Sequence, residues 1–256
     1  MKRRYIISII MVLVFGLIMF IAFCVDPIRK ESYEATIVVG ENTTWNYSQK
    51  RWKKVSNETD FQTLNWKKYQ IFDNDEDKGE YYLVHSDKWY GFDNKRNAVN
   101  LSDMLFAYRS NYNMGLDTFV EEDASSDEFI EKVLLDNDLS AESEFTKSTK
   151  ISIDYDSDGI VEDFYTITNA FINSTPDKVF TIVFMVKEGE ISYLYNETRA
   201  YKVYAGCFPE VIAFMDVNDD NKDEIIISCF QYSNLGRIDM LYEFQDNKFK
   251  ILISNQ

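Results

Sequence analysis

The second half of the chain is built from short runs of apolar and β-branched residues: KISID, DFYTITNAF, KVFTIVFMVKE, ISYLYNE, AYKVYA, PEVIAFMD, EIIISCF, RIDMLYEF and FKILIS. Their length and their Val, Ile, Tyr and Phe content predict strands. Turn signals such as Glu188-Gly189 and Gln245-Asp246-Asn247-Lys248 fall between them. Residues 69 to 92, YQIFDNDEDKGEYYLVHSDKWYGF, alternate β-rich runs with polar punctuation and predict a meander of hairpins. ATIVVG at 35 to 40 is a further strand-like piece.

A helical period shows in two places only. LSDMLFAYRS at 101 to 110 has apolar residues at 101, 104, 105 and 108, one face of a helix. In SSDEFIEKVLLDND, Ser125 and Glu128 form a capping-box pair, and Phe129 with Val133 and Ile130 with Leu134 make the apolar stripe. The expected fold is thus mainly β, with antiparallel sheets and a small, acidic helical insertion between 99 and 147.

The N-terminus has a different pattern. Residues 5 to 25, YIISIIMVLVFGLIMFIAFCV, carry no charge, and at ~1.5 Å per residue they match a ~30 Å hydrocarbon core. A secretory signal would have a shorter apolar region and a small-x-small cleavage site, for which Ala22-Phe23-Cys24 is a poor match; Phe23 also spoils a lipobox ending at Cys24. A retained single-pass anchor is the expectation. Lys2, Arg3 and Arg4 outweigh Arg29 and Lys30, which Asp26 and Glu31 soften, so the positive-inside rule leaves the N-terminus in the cytoplasm and the body outside. The chain then divides into a cytoplasmic tip and anchor over 1–26, a stalk with the first strands over 27–60, a β-meander with the helical insertion over 61–147, and β repeats over 148–256.

Composition adds a sign to this picture. With 27 Lys and Arg against 43 Asp and Glu the net charge is −16. Such a body repels nucleic-acid phosphates and attracts divalent cations, which excludes nucleic acid as the expected partner. Two basic clusters stand out, Lys50-Arg51-Trp52-Lys53-Lys54 and Trp66-Lys67-Lys68, read as solvated faces with Trp anchors or as a grip on an anionic surface polymer. Cys207 and Cys229 lie at a distance compatible with neighbouring strands of one hairpin, as a disulfide or as two buried small hydrophobes.

The acidic residues concentrate in two stretches. DYDSDGIVE at 154 to 162 and DVNDDNKDE at 216 to 224 share acids or amides at positions 1, 3 and 5, Gly or Asn at 6, and Glu at 9, and they lie 62 residues apart. Calcium wants six to eight oxygens, which alternate side chains of a tight loop can supply; position 6 needs a residue that accepts positive φ, as Gly159 and Asn221 do. An EF-hand would need Glu at position 12, where Tyr165 and Ile227 stand. The order strand, nine-residue loop, strand instead resembles the FG-GAP or VCBS repeat family, the calcium-binding blades of integrin-α-type β-propellers, over about residues 150–256. That resemblance implies propeller-like blades, closed or open. It also implies Ca²⁺ ligands at Asp154, Asp156, Asp158 and Glu162 with the carbonyl of Ile160, and at Asp216, Asn218, Asp220 and Glu224 with that of Lys222. The expectation is that a recruited ion, not nearby Lys or Arg, neutralises both clusters, and the extra carboxylate makes the first the tighter. DNDEDKGEY at 73 to 81 is a third, poorer candidate, with Lys78 at position 6 and Tyr81 at 9.

Catalytic signatures are missing. The single histidine, His85, lies in a strand-like run, and no P-loop, G-x-G-x-x-G, H-E-x-x-H or G-x-S-x-G occurs. The expected function is a membrane-anchored extracytoplasmic calcium-binding module for a surface protein or glycan. The alternative is a surface hydrolase, or accessory subunit, acting on glycans through paired carboxylates.

Overall fold

The computed structural model describes residues 34–40, 43–73, 76–99, 106–110, 116–117, 119–172, 176–200, 206–217, 220–231 and 236–255. The expected membrane segment over 5 to 25 lies outside them; among the described residues no helix is long and apolar enough to cross a membrane. From Glu34 onward the chain forms one unit. The described residues are mainly β, with three antiparallel sheets and no closed barrel among them.

The first sheet collects β1 (Ala35–Val39), β2 (Thr43–Ser48), β3 (Arg51–Lys54), β4 (Lys67–Asp73), β5 (Glu76–His85), β6 (Trp89–Phe92), β7 (Ala98–Val99) and β8 (Phe106–Ser110), in the order β3-β2-β1-β8-β4-β5-β6-β7. A short helix, α1 (Glu58–Leu64), joins β3 to β4; Asn57 caps it by accepting from the Asp60 N–H at 2.9 Å. This helix has too few apolar positions to show a period. The helix read over 101 to 110 is corrected for its second half, since Phe106–Ser110 is strand and 101 to 105 lie outside the described residues. β8 pairs on one side with β1, Phe106 opposite Val39, and on the other with β4, Ala107 opposite Ile71. Two open strand edges outweigh a half-formed helical stripe, because propensity yields to tertiary pairing.

The other two sheets are built alike. β9 (Leu116–Asp117) and β10 (Glu122–Asp123) are two-residue edge strands, and helix α2 (Glu128–Asp136) follows them. Then β11 (Lys147–Ile153), β12 (Glu162–Thr168), β13 (Lys178–Lys187) and β14 (Glu190–Ala200) form an antiparallel meander, as do β15 (Cys207–Met215), β16 (Glu224–Gln231), β17 (Gly236–Gln245) and β18 (Lys248–Ser254). β10 extends the first meander beside β11, and β9 extends the second beside β15. The turn signals hold: Glu188 and Gly189 have φ of 51° and 83°, and Asp246 and Asn247 have φ of 55° and 58°, the left-handed pairs that tight hairpins need.

The three sheets stack. Ile151, Phe164, Val183 and Met185 of the first meander pack on Phe214, Ile225, Ile227 and Met240 of the second. The opposite face of the second meander, with Ile212, Met215, Ile226 and Leu241, packs on Ile37, Trp45, Phe72 and Phe106 of the eight-stranded sheet. On the outside of the first meander, Ile130, Val133 and Leu134 of α2 cover Ile167, Phe180, Ile182 and Phe184. β13 and β16 are therefore buried on both faces, which is why VFTIVFMV and EIII read as continuous apolar runs instead of alternating ones. α2 is the predicted second helix with a corrected cap: Asp127, not Ser125, accepts from the Phe129 N–H, and Ser125 donates to Asp123. Cys207 and Cys229 form a disulfide between β15 and β16, Cα atoms 5.5 Å apart.

Candidate metal centre

The two acidic loops connect the first and second strands of the two meanders, β11 to β12 and β15 to β16. Their hydrogen bonds match position by position. At position 1, Asp154 accepts from the N–H groups of Asp158 (3.1 Å) and Gly159 (3.0 Å), and Asp216 accepts from those of Asp220 (3.1 Å) and Asn221 (2.8 Å). At position 5, Asp158 accepts from Ile160 N–H at 2.8 Å, and Asp220 from Lys222 N–H at 3.0 Å. At position 9, Glu162 accepts from Tyr155 N–H at 3.2 Å, and Glu224 from Val217 N–H at 3.0 Å. Position 6 has positive φ in both, 85° at Gly159 and 62° at Asn221.

Each loop is pinned to the core at two points. Position 2 is an apolar plug, Tyr155 in the core between the meanders and Val217 in the core against the eight-stranded sheet. Position 9 is a fully buried glutamate, with Glu162 0 % and Glu224 1 % exposed. The loops also touch: Asp223 N–H donates to the Tyr155 carbonyl at 3.0 Å. Both sites thus lie at the same end of neighbouring, stacked sheets. Asn218, the third expected ligand of the second loop, lies outside the described residues.

Charge is handled differently in the two. In the first loop Asp154, Asp156 and Glu162 bring one carboxylate oxygen each within 4.8 Å of one another, an arrangement able to hold a metal ion. The Lys187 ammonium, at the end of β13, lies 2.7 Å from Asp156, 2.7 Å from Asp158 and 2.8 Å from Glu162. The expectation that no basic side chain neutralises this cluster is therefore corrected. Burial opposes the Lys187 charge, but its bonds to Asp156, Asp158 and Glu162 prevail and raise its pKa. Burial pushes Glu162 upward while Lys187 and the Tyr155 N–H act the other way, and the Lys187 bond lowers the more open Asp158. In the second loop burial pushes Glu224 up to about 9; the Val217 N–H opposes this, and Asp220, Asp216 and Glu243 add to it. Asp223 at position 8 is pushed up to about 8 by burial, then by Asp117 and Asp216.

Lys187, Asp223 and Glu243 were not among the residues singled out from the sequence. Lys187 carries a signal in hindsight: it ends the ten-residue strand β13, whose antiparallel register with β12 sets it beside Glu162. Among the described residues the third acidic stretch is strand: β4 runs through Asp73, β5 starts at Glu76, and Tyr81 pairs with Tyr69 inside the sheet. His85 is a partly buried strand residue. It stacks on Phe61 with ring centroids 3.7 Å apart, and burial lowers its pKa against the pull of Asp87.

Away from the loops, a cleft of about 510 Å³ is lined by Asp138, Glu142, Glu144 and Asp177 among others. Comparisons of the chain with protein-family models, curated proteins and solved structures found no match in any of the three.

Proposed function

We propose that the protein is a membrane-anchored, extracytoplasmic calcium-binding module whose stacked meanders are propeller-like blades of the FG-GAP or VCBS type. The observation that carries this reading is the shared hydrogen-bond frame of the two nine-residue loops. A tight loop that turns the same four backbone N–H groups onto the same acidic positions twice is a scaffold for aiming carboxylates inward. The second loop supports it further: burying Glu224 beside Asp216 and Asp220 is unfavourable without a proton or a cation. When bound, calcium would neutralise the loop and join its two strands, a structural role. Binding of a surface protein or glycan, with no catalysis, is the function of the module on this reading.

The Cys207–Cys229 disulfide supports an oxidising compartment, in keeping with an anchor over residues 5 to 25 and a cytoplasmic N-terminus. Cleavage of the body by protease added to intact cells is the expected result; a protected body would contradict export. Elemental analysis of the full-length chain, purified in detergent without chelator, tests the calcium reading. Calcium near one ion per chain or above supports it; a metal-free protein, also after dialysis against millimolar calcium, contradicts it.

The acid-lined cleft favours a second reading, a glycan hydrolase or its accessory subunit, since hydrolysis needs two carboxyl groups across a cleft. Glycan cleavage lost on Asp177→Asn and Glu142→Gln would replace the binding module with that enzyme.

A further inference from the structure

A polar network joins the first sheet to the second meander. It consists of Thr43 at the start of β2, Ser228 on β16, Arg237 and Asp239 on β17, and Asn255 just after β18. Asp239 is 1 % and Thr43 3 % exposed. The two carboxylate oxygens of Asp239 serve different partners. Oδ1 accepts from Arg237 Nε at 2.7 Å and from the Ser228 hydroxyl, so the buried charge is balanced on that side. Oδ2 accepts from the Thr43 hydroxyl at 2.6 Å and from Asn255 Nδ2 at 3.0 Å. Nδ2 also donates to Thr43 Oγ1 at 2.8 Å. The backbone N–H of Asp239 donates to Asn255 Oδ1 at 3.0 Å, which fixes the orientation of the amide.

These are the parts of an acyl transfer. A hydroxyl lies against a carboxylate base, the amide nitrogen lies beside that hydroxyl, and a backbone N–H is aimed at the carbonyl oxygen on which charge would develop. Asp239 Oδ2 reaches both the hydroxyl and the amide nitrogen, so one atom can take a proton from the nucleophile and hand it to the leaving group, as the shared imidazole does in a serine hydrolase. Burial of Thr43 and Asp239 keeps out water, the competing nucleophile.

We propose that the protein forms an ester between Thr43 and Asn255 on itself, with Asp239 as the general base. Thr43 Oγ1 bonds to the side-chain amide carbon of Asn255 while its proton passes to Asp239 Oδ2. The negative charge that builds on Asn255 Oδ1 is held by the Asp239 N–H. The carbon–nitrogen bond then breaks, Asp239 returns the proton to Nδ2, and ammonia leaves. The step is redox-neutral and consumes no co-reactant. The link closes the chain between residues 212 apart and ties β2 to the stretch that follows β18. A cross-link over so long a loop stabilises by restricting the unfolded chain. This inference does not rest on the calcium reading.

Peptide mass mapping of the full-length chain tests it. Trypsin releases Thr43 within residues 31–50 and Asn255 within residues 251–256. The wild type is expected to yield these two peptides joined, lighter than their sum by one ammonia, and to release them separately after hydroxylamine, which cleaves esters and spares amides. Thr43→Val keeps the volume and removes the nucleophile, so its peptides are recovered apart; Thr43→Ser keeps the hydroxyl and the link. Asp239→Asn retains both reacting groups without the base and links about a hundredfold more slowly. Separate, unmodified peptides from the wild type overturn the proposal and leave the network a hydrogen-bonded clasp. A 251–256 peptide lighter by ammonia but unlinked also overturns it, since Asn255 has then closed on its own backbone. A link that persists in Thr43→Val, or one that resists hydroxylamine, does the same. Should Asp239→Asn not fold, the wild type and the two Thr43 variants still decide the question.

Discussion

His85 shows how much a single position depends on what comes to lie against it. The alternation of YYLVHSD marks it as a half-buried strand residue, but its partner Phe61 belongs to a helix without an apolar period. The stacked, partly buried imidazole resists protonation, so its folded pKa is lowered. The unfolded chain then takes up a proton more readily, and this contribution to stability is present above the unfolded value of about 6.5 and fades as pH falls below it. The expected outcome is that His85→Phe, which keeps the stack, loses less of its thermal midpoint between pH 7.5 and pH 5.5 than the wild type does. Parallel pH profiles for the two proteins would reject that origin. The cap of α2 teaches the same point: Ser125 and Asp127 are both good capping residues, and the difference lies in where the chain leaves β10, which no local pattern records.

At the scale of elements, the acidic loops were legible because their geometry is local. A carboxylate at position 1, a left-handed residue at position 6 and a glutamate at position 9 are written within nine residues, and each makes the bond its spacing allows. Position 6 offers a direct check. Gly159 has φ of +85°, and a Cβ there meets nothing within 4 Å, so any cost of a side chain is purely conformational. Gly159→Ala is expected to destabilise the protein by about 1 kcal/mol, whereas Asn221→Gly stays within a few tenths; denaturant unfolding in chelator measures both. A Gly159→Ala change within error of zero would show that the first loop does not need its left-handed turn. What is not local was lost: FAYRS reads as the end of a helix until β1 and β4 offer it two edges, and Lys187 reads as the polar end of a strand until hairpin register lays it on Glu162.

Across the whole molecule, eight of the nine strand-like runs expected from KISID onward are strands, and AYKVYA lies outside the described residues after Ala200, but the stacking could not be read. Continuous apolar runs in β13 and β16 signal burial on both faces without naming the layer on either side, and the first sheet draws on strands from Ala35 to Ser110 in an order that the chain does not follow. That stack places both loops at one end, joined through Asp223 and Tyr155, so an ion at either loop stabilises the packing of two sheets. The net charge of −16 gives a reason for such an ion, since an acidic body gains from bound cations. An ion that binds only the folded chain raises stability as RT ln(1 + [Ca²⁺]/Kd), about 2.7 kcal/mol at a hundredfold excess over Kd. The most direct measurement is therefore the thermal midpoint of the full-length protein in saturating calcium and in chelator, with Glu224→Gln alongside. A rise of about 5–10 °C in calcium, smaller in Glu224→Gln, is expected; identical midpoints for the wild type in both buffers would contradict a calcium-stabilised fold.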